Sequence, residues 1–181
     1  NPKYKKKIIV NNFRNFKKIS YNKFSAQTTV LFFSDSMMDY KSVIKYLDQL
    51  KKENIKVLVR LKKNQKENEY FLRYIKKNNF TQTNNINIET IVKKYKPKFF
   101  IATNSNVLLE ATLYNCFPIL LKTQNDYSLD FIKDKVVICY SGKNNFHQFL
   151  KKLEKKKNLI NGIYNKVWNF KNEIKNKKRL F

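Results

Sequence analysis

Glycine and proline are scarce in this chain, two and three among 181 residues, and Asp and Glu number 13 against 39 Lys and Arg. No glycine-aromatic platform, RNA-recognition signature, zinc-finger spacing or helix-turn-helix pattern is present. Cys116 and Cys139 have no second Cys or His at a metal-ligand spacing, and each lies in or beside an apolar stretch. Both are expected to be buried, reduced thiols. With no carboxylate cluster suited to a divalent cation, neither a metal nor a resident cofactor is expected. No apolar run approaches the roughly 18 residues of a membrane-spanning helix, and the first seven residues lead into no apolar signal core. A cytoplasmic protein is expected. The chain opens on Asn1 rather than Met, so it is expected to be a processed chain or a segment of a longer one.

What is abundant sets the rest. A hydrophobic content of 42%, with 15% aromatic residues, suffices for the core of one ordinary domain. A formal charge of +26 will attract polyanions, whether nucleic acid or the anionic leaflet at the inner membrane face. The cations are spread along every expected helix rather than gathered in one stripe. Lys, Asn, Ile, Phe and Tyr are all abundant, which looks like codon bias toward adenine and thymine. A solvated lysine-rich surface is therefore the plain alternative.

Residues 1–27 are polar and basic around Ile8-Ile9-Val10 and read as a connector with a partial edge strand. From Thr28 the pattern changes. Short apolar runs at residues 29–33, 55–61, 99–102, 118–121 and 136–139 are rich in β-branched and aromatic residues, as strands buried on both faces are. Between them, residues 40–54, 67–79, 88–95 and 107–115 show helical spacing; further helices carry Phe146, Phe149, Leu150 and Leu153, and then Ile163, Tyr164, Val167 and Trp168. Residues 80–87 are too polar to be assigned as a strand. Alternation of this kind predicts βαβ units: an α/β, Rossmann-like, mostly parallel sheet flanked by helices. Ligands of such sheets bind beyond the carboxyl ends of the strands, near the switch in strand order.

Several residues at those ends could carry chemistry. Thr103-Asn104-Ser105-Asn106 leaves a strand and opens a helix, so hydroxyls and free backbone N–H groups face outward together as an anion site. The plain alternative is that Ser105 or Asn106 only caps the helix. Glu110 follows Asn106 by four residues on the same helix face, where a carboxylate could accept from ribose hydroxyls or merely stabilise the helix. Arg60, Lys62 and Lys63, after the second strand, could neutralise phosphate. Asp35 and Asp39 are weak candidates for a base or a substrate-orienting carboxylate, although loop aspartates more often form turns. The single histidine, His147, lies between core-facing aromatics and reads as an exposed bystander. Trp168 reads as a packing anchor.

A resemblance enters with these residues. The run Phe99-Phe100-Ile101-Ala102-Thr103-Asn104-Ser105-Asn106-Val107-Leu108-Leu109-Glu110-Ala111, closing about 20 residues from its start on Pro118-Ile119, resembles the donor-side signature of GT-B type glycosyltransferases. The relatives belong to surface-polysaccharide pathways: capsule-synthesis, sialyltransferase-like and polyol-phosphate transferase-like enzymes. Their pattern is a strand into Ser-Ser or Ser-Thr, three apolar positions, Glu-Ala, a helix and Pro-Ile or Pro-Val. Here Asn106 replaces the second hydroxyl residue, and Lys62-Lys63 stands where those families usually carry His-Pro.

The resemblance implies that Ser105 and Asn106 touch the donor phosphates, Glu110 the ribose or base, and Lys62 or Lys63 the pyrophosphate or phosphodiester. It implies a nucleotide-sugar donor, a glycan or lipid-linked acceptor, and an N-terminal half that this chain does not contain. Residues 28–158 would then form the donor-binding Rossmann-like domain. Residues 159–181 would form a C-terminal helix packing back on that domain or on the missing half. The expected function is that of the donor-binding half of a nucleotide-sugar-dependent glycosyltransferase. The alternatives are a basic, non-catalytic nucleic-acid-binding module and a degenerate, epimerase-like nucleotide-sugar binder.

Overall fold

Four apolar runs, TVLFF, KVLVR, FFIA and FPILL, become β1 (Thr29–Phe33), β2 (Lys56–Arg60), β4 (Phe99–Ala102) and β5 (Phe117–Leu121). With β3 (Thr81–Gln82) and β6 (Ile138–Tyr140) they form one sheet in the order β3-β2-β1-β4-β5-β6, every neighbouring pair parallel. The computed structural model describes residues 28–35, 39–62, 69–122, 129–156 and 158–168. In the centre Phe32 stands between Val59 and Ile101 in register. Pro118 is tolerated in β5 because pairing with β6 begins one residue later, at Ile119, while Phe117 N–H donates to Lys98 O on the other side (2.9 Å).

The strands alternate their side chains between two helical layers. Val30, Phe32, Val59, Ile101 and Ile119 face α1 (Tyr40–Lys52), α2 (Glu69–Lys77) and α6 (Phe146–Glu154). Leu31, Leu58, Phe100 and Leu120 face α3 (Ile88–Tyr95), α4 (Val107–Glu110) and α5 (Leu129–Lys133). Both layers are dry at the sheet: Phe32, Phe99 and Phe100 are fully buried. Asp39 starts α1 by accepting from the N–H groups of Lys41 (3.1 Å) and Ser42 (3.3 Å) and from Ser42 Oγ (2.6 Å). Lys96, in the left-handed region at φ 47°, ends α3 ahead of Pro97.

Each connecting helix returns the chain from the carboxyl end of one strand toward the amino end of the next. The helix C-termini therefore gather at the amino-terminal end of the sheet. There the last turns carry Lys51-Lys52 on α1, Lys76-Lys77 on α2, Lys93-Lys94 on α3 and Lys151-Lys152 on α6, all exposed. Glu154 marks the same end for α6, accepting from Thr28 Oγ1 and from Lys98 Nζ, each at 3.1 Å, at the starts of β1 and β4.

Four features depart from the expectation. The polar stretch at 80–87 does contain a strand: Thr81 and Gln82 pair with Leu58 and Val59, an edge position that asks for no continuous apolar run. The helix expected over 107–115 is one α-turn, Val107–Glu110, followed by a 3-10 turn, Ala111–Tyr114. Asn115, left-handed at φ 58°, closes it, its N–H donating to Ala111 O and Thr112 O. Cys116 is buried, its thiol donating to Pro97 O at 3.0 Å, but Cys139 is only half-buried on edge strand β6. His147 is not an exposed residue: its side chain is 15% exposed, and Nδ1 lies 3.0 Å from Glu53, which caps the C-terminus of α1.

The last helix, α7 (Asn158–Trp168), packs on this domain. Ile163 and Val167 meet Leu109, and Trp168 Nε1 donates to the buried Thr112 hydroxyl at 3.0 Å. Residues 1–27, with their expected edge strand, and residues 169–181 lie outside the described residues.

Candidate functional site

Placing β4 beside β1, with β2 on the other side, puts the switch in strand order between β1 and β4. A cleft of about 450 Å³ opens there, within the size range of small-molecule sites. It is lined from β1 by Phe33, Ser34 and Asp35, from β2 by Arg60, Leu61 and Lys62, and after β4 by Asn104, Ser105, Asn106 and Val107, with Ile88 of α3 beneath. The structure thus brings together Asp35, Arg60, Lys62, Ser105 and Asn106 from three segments far apart in sequence. Lys63 lies outside the described residues. Asp39 does not line the cleft; it is engaged in capping α1, and the Ser42 hydroxyl bond, the largest of its influences, holds its carboxyl pKa below the ordinary value.

Backbone bonds fix the floor. Ser34 N–H donates to Arg60 O (2.9 Å), and Ser34 Oγ accepts from Lys62 N–H (3.2 Å), tying the ends of β1 and β2 together. Arg60 then turns across the top of the sheet. Its Nη1 donates to Thr83 O at 3.1 Å and to Ile86 O, clamping the segment that leads into α3. Asn84 Oδ1 accepts from Leu61 N–H at 2.8 Å beside it. Asn84 and the two carbonyls were not legible as site features, because their stretch carries only a polar pattern and main-chain acceptors leave no signature in side-chain identity.

Glu110 is half-buried and does not line the cleft. Burial raises its carboxyl above the usual carboxylate range, and the charge of Arg60 opposes that rise. Burial likewise lowers the Arg60 guanidinium, and Glu110 opposes it in turn. The two are coupled electrostatically, Arg60 in the cleft wall and Glu110 outside the lining.

Ser105 Oγ accepts from Val107 N–H at a long 3.4 Å, and Asn106 makes no side-chain cap bond. Since α4 is a single turn, it sums too few peptide dipoles to attract an anion strongly by itself. Anion affinity in this cleft falls to the cations and side-chain donors. Among the described residues no group of three or more His, Cys, Asp or Glu could hold a metal ion, and no helix is long and apolar enough to cross a membrane.

A six-stranded parallel sheet in this order, covered by helices on both faces, defines a Rossmann-like α/β domain that matches one half of the GT-B architecture. Among solved structures it is similar to TarM, with a TM-score of 0.57 and 16% identity, over 86% of this chain and 35% of TarM. That likeness is one of fold, and the chain spans about a third of TarM's length. No family model matches the chain, and no curated protein matches it.

Proposed function

We propose that this domain is the donor-binding half of a glycosyltransferase and holds the phosphates of a nucleotide-activated sugar in the cleft between β1, β2 and β4. The observation that carries the reading is the convergence of Arg60, Lys62, Ser105 and Asn106 at the switch point of the sheet. The fold, shared with TarM and matching one half of the GT-B architecture, supports the class.

In this reading Lys62, exposed at the rim, and the N–H groups of Arg60 not given to Thr83 O and Ile86 O stabilise charge on the departing nucleotide phosphate. Ser105 and Asn106 donate to phosphate oxygens from the opposite wall. Glu110 acts through Arg60, whose charge it faces, rather than on the ribose. Asp35, buried at the end of β1, orients a sugar hydroxyl. The acceptor, a glycan or a lipid-linked chain end, enters from the side an N-terminal half would occupy, and no metal ion is called for.

Calorimetric titration of uridine and cytidine mono- and diphosphates at about 0.15 M salt, where exposed charges are well screened, tests this. Saturable, base-selective binding that weakens at least about tenfold in both Ser105→Ala and Lys62→Ala is expected, roughly one charge-assisted hydrogen bond each. Equal, steeply salt-dependent binding of any polyanion would favour the nucleic-acid module instead.

A further inference from the structure

We propose that the end of the domain opposite the cleft is a docking face for an anionic lipid bilayer. This inference stands apart from the donor-binding reading, because it rests on where the fold carries its lysines. The pairs ending α1, α2, α3 and α6 all emerge at the amino-terminal end of the sheet, exposed, and Lys133, which ends α5, joins them.

A helix C-terminus carries only about half a negative charge, so two lysines on one end do more than neutralise its dipole. Nearby acids are few: Glu154 lies 3.1 Å from Lys98, Glu53 lies 3.0 Å from His147, Glu89 pairs with Lys93 at 2.6 Å, and Asp134 follows Lys133. At the cleft end Arg60, Lys62, Lys41, Lys122 and Lys143 are set against Asp35 in the cleft, Asp39 at the start of α1 and Glu110, which couples to Arg60. Among the described residues, the paired helix-end lysines lie at the end opposite the cleft.

Two features favour a bilayer over a nucleic acid. The cations are spread over helix ends on both faces of the sheet rather than along one helix, and they are lysines, whose compact ammonium groups on flexible stems suit scattered lipid phosphates. Leu159, 37% exposed, is the second residue of α7, three positions after Lys156, where an apolar side chain can enter the headgroup layer. Only Tyr70 shares its status as an exposed large apolar residue among those described. A domain held by this face turns its cleft to the aqueous side, open to soluble substrates.

The test is co-sedimentation of the 181-residue chain with phosphatidylcholine–phosphatidylglycerol vesicles, and with pure phosphatidylcholine, at about 0.15 M salt. One variant combines Lys52→Gln, Lys77→Gln, Lys94→Gln and Lys152→Gln. A matched control removes equal charge from the other end through Lys41→Gln, Lys45→Gln, Lys122→Gln and Lys143→Gln. Circular dichroism shows that each is folded.

Each lysine at an anionic surface is worth about fivefold in affinity, so the basal variant is expected to bind at least about tenfold more weakly while the control stays within about threefold. Leu159→Ser is expected to weaken vesicle binding and leave polynucleotide binding unchanged. Equal losses in basal variant and control would overturn the proposal, as would absence of anionic-vesicle binding. So would a polynucleotide that binds more tightly than vesicles through the same basal lysines.

Discussion

Replacing Arg60 by Met keeps the aliphatic stem and deletes the guanidinium, which isolates the clamp on the segment entering α3. Two bonds are lost, from Nη1 to Thr83 O at 3.1 Å and to Ile86 O, and the partner charge beside Glu110 goes with them. A hydrogen bond from a charged donor contributes about 1.5–3 kcal/mol. Burial has already cost the guanidinium part of that, and Thr83 O keeps a second donor, Ile86 N–H at 3.2 Å. A net loss of about 2 kcal/mol is the working figure, equivalent to roughly 4–8 °C in melting temperature for a domain of this size. Differential scanning calorimetry reads the shift. Amide hydrogen exchange localises it, with faster exchange expected in residues 83–88 and little change in α1. Arg60→Lys should recover little of the stability, since a lysine cannot span both carbonyls. A melting temperature within about 1 °C of the parent, with exchange unchanged at 83–88, would refute the clamp.

Two further outcomes follow from the same geometry. Burial holds the Glu110 carboxyl above its ordinary value, against the pull of Arg60, whereas the unfolded chain ionises it at the ordinary value. Its ionised form therefore subtracts stability as pH rises past the ordinary carboxylate range, and the penalty is absent below it. Glu110→Gln should be more stable than the parent at neutral pH, with the gap closing in acid, as thermal melts across pH would read; a parent more stable at neutral pH would reverse the sign of the argument. The second concerns Trp168, the only tryptophan in the chain, which donates to Thr112 Oγ1 at 3.0 Å while that hydroxyl donates to Leu109 O at 3.2 Å. Thr112→Val strands both partners and should cost about 1–3 kcal/mol, with red-shifted tryptophan emission as α7 loosens; unchanged emission and stability would show that the helix docks by apolar contact alone.

The strand and helix order was legible because its signals are local. Runs such as residues 30–33 and Phe99–Ala102 are apolar at every position, and α1 and α3 carry their apolar faces at helical spacing. The same alternation placed Ser105, Asn106, Arg60 and Lys62 at strand ends, and the parallel topology brought them to one cleft. Three features were decided by contacts that no local pattern encodes. A two-residue edge strand needs only the neighbouring β2 to pair with, so Thr81–Gln82 left no apolar trace. The helix after Asn106 stops short, with Asn115 in the left-handed region and Thr112 held between Leu109 O and Trp168, 56 residues away. Arg60 owes its position to main-chain carbonyls. The lysines make the contrast plainest. Along the sequence they are dispersed over every helix, but a parallel sheet makes its connecting helices end together, so tertiary structure turned an even distribution into a charged face.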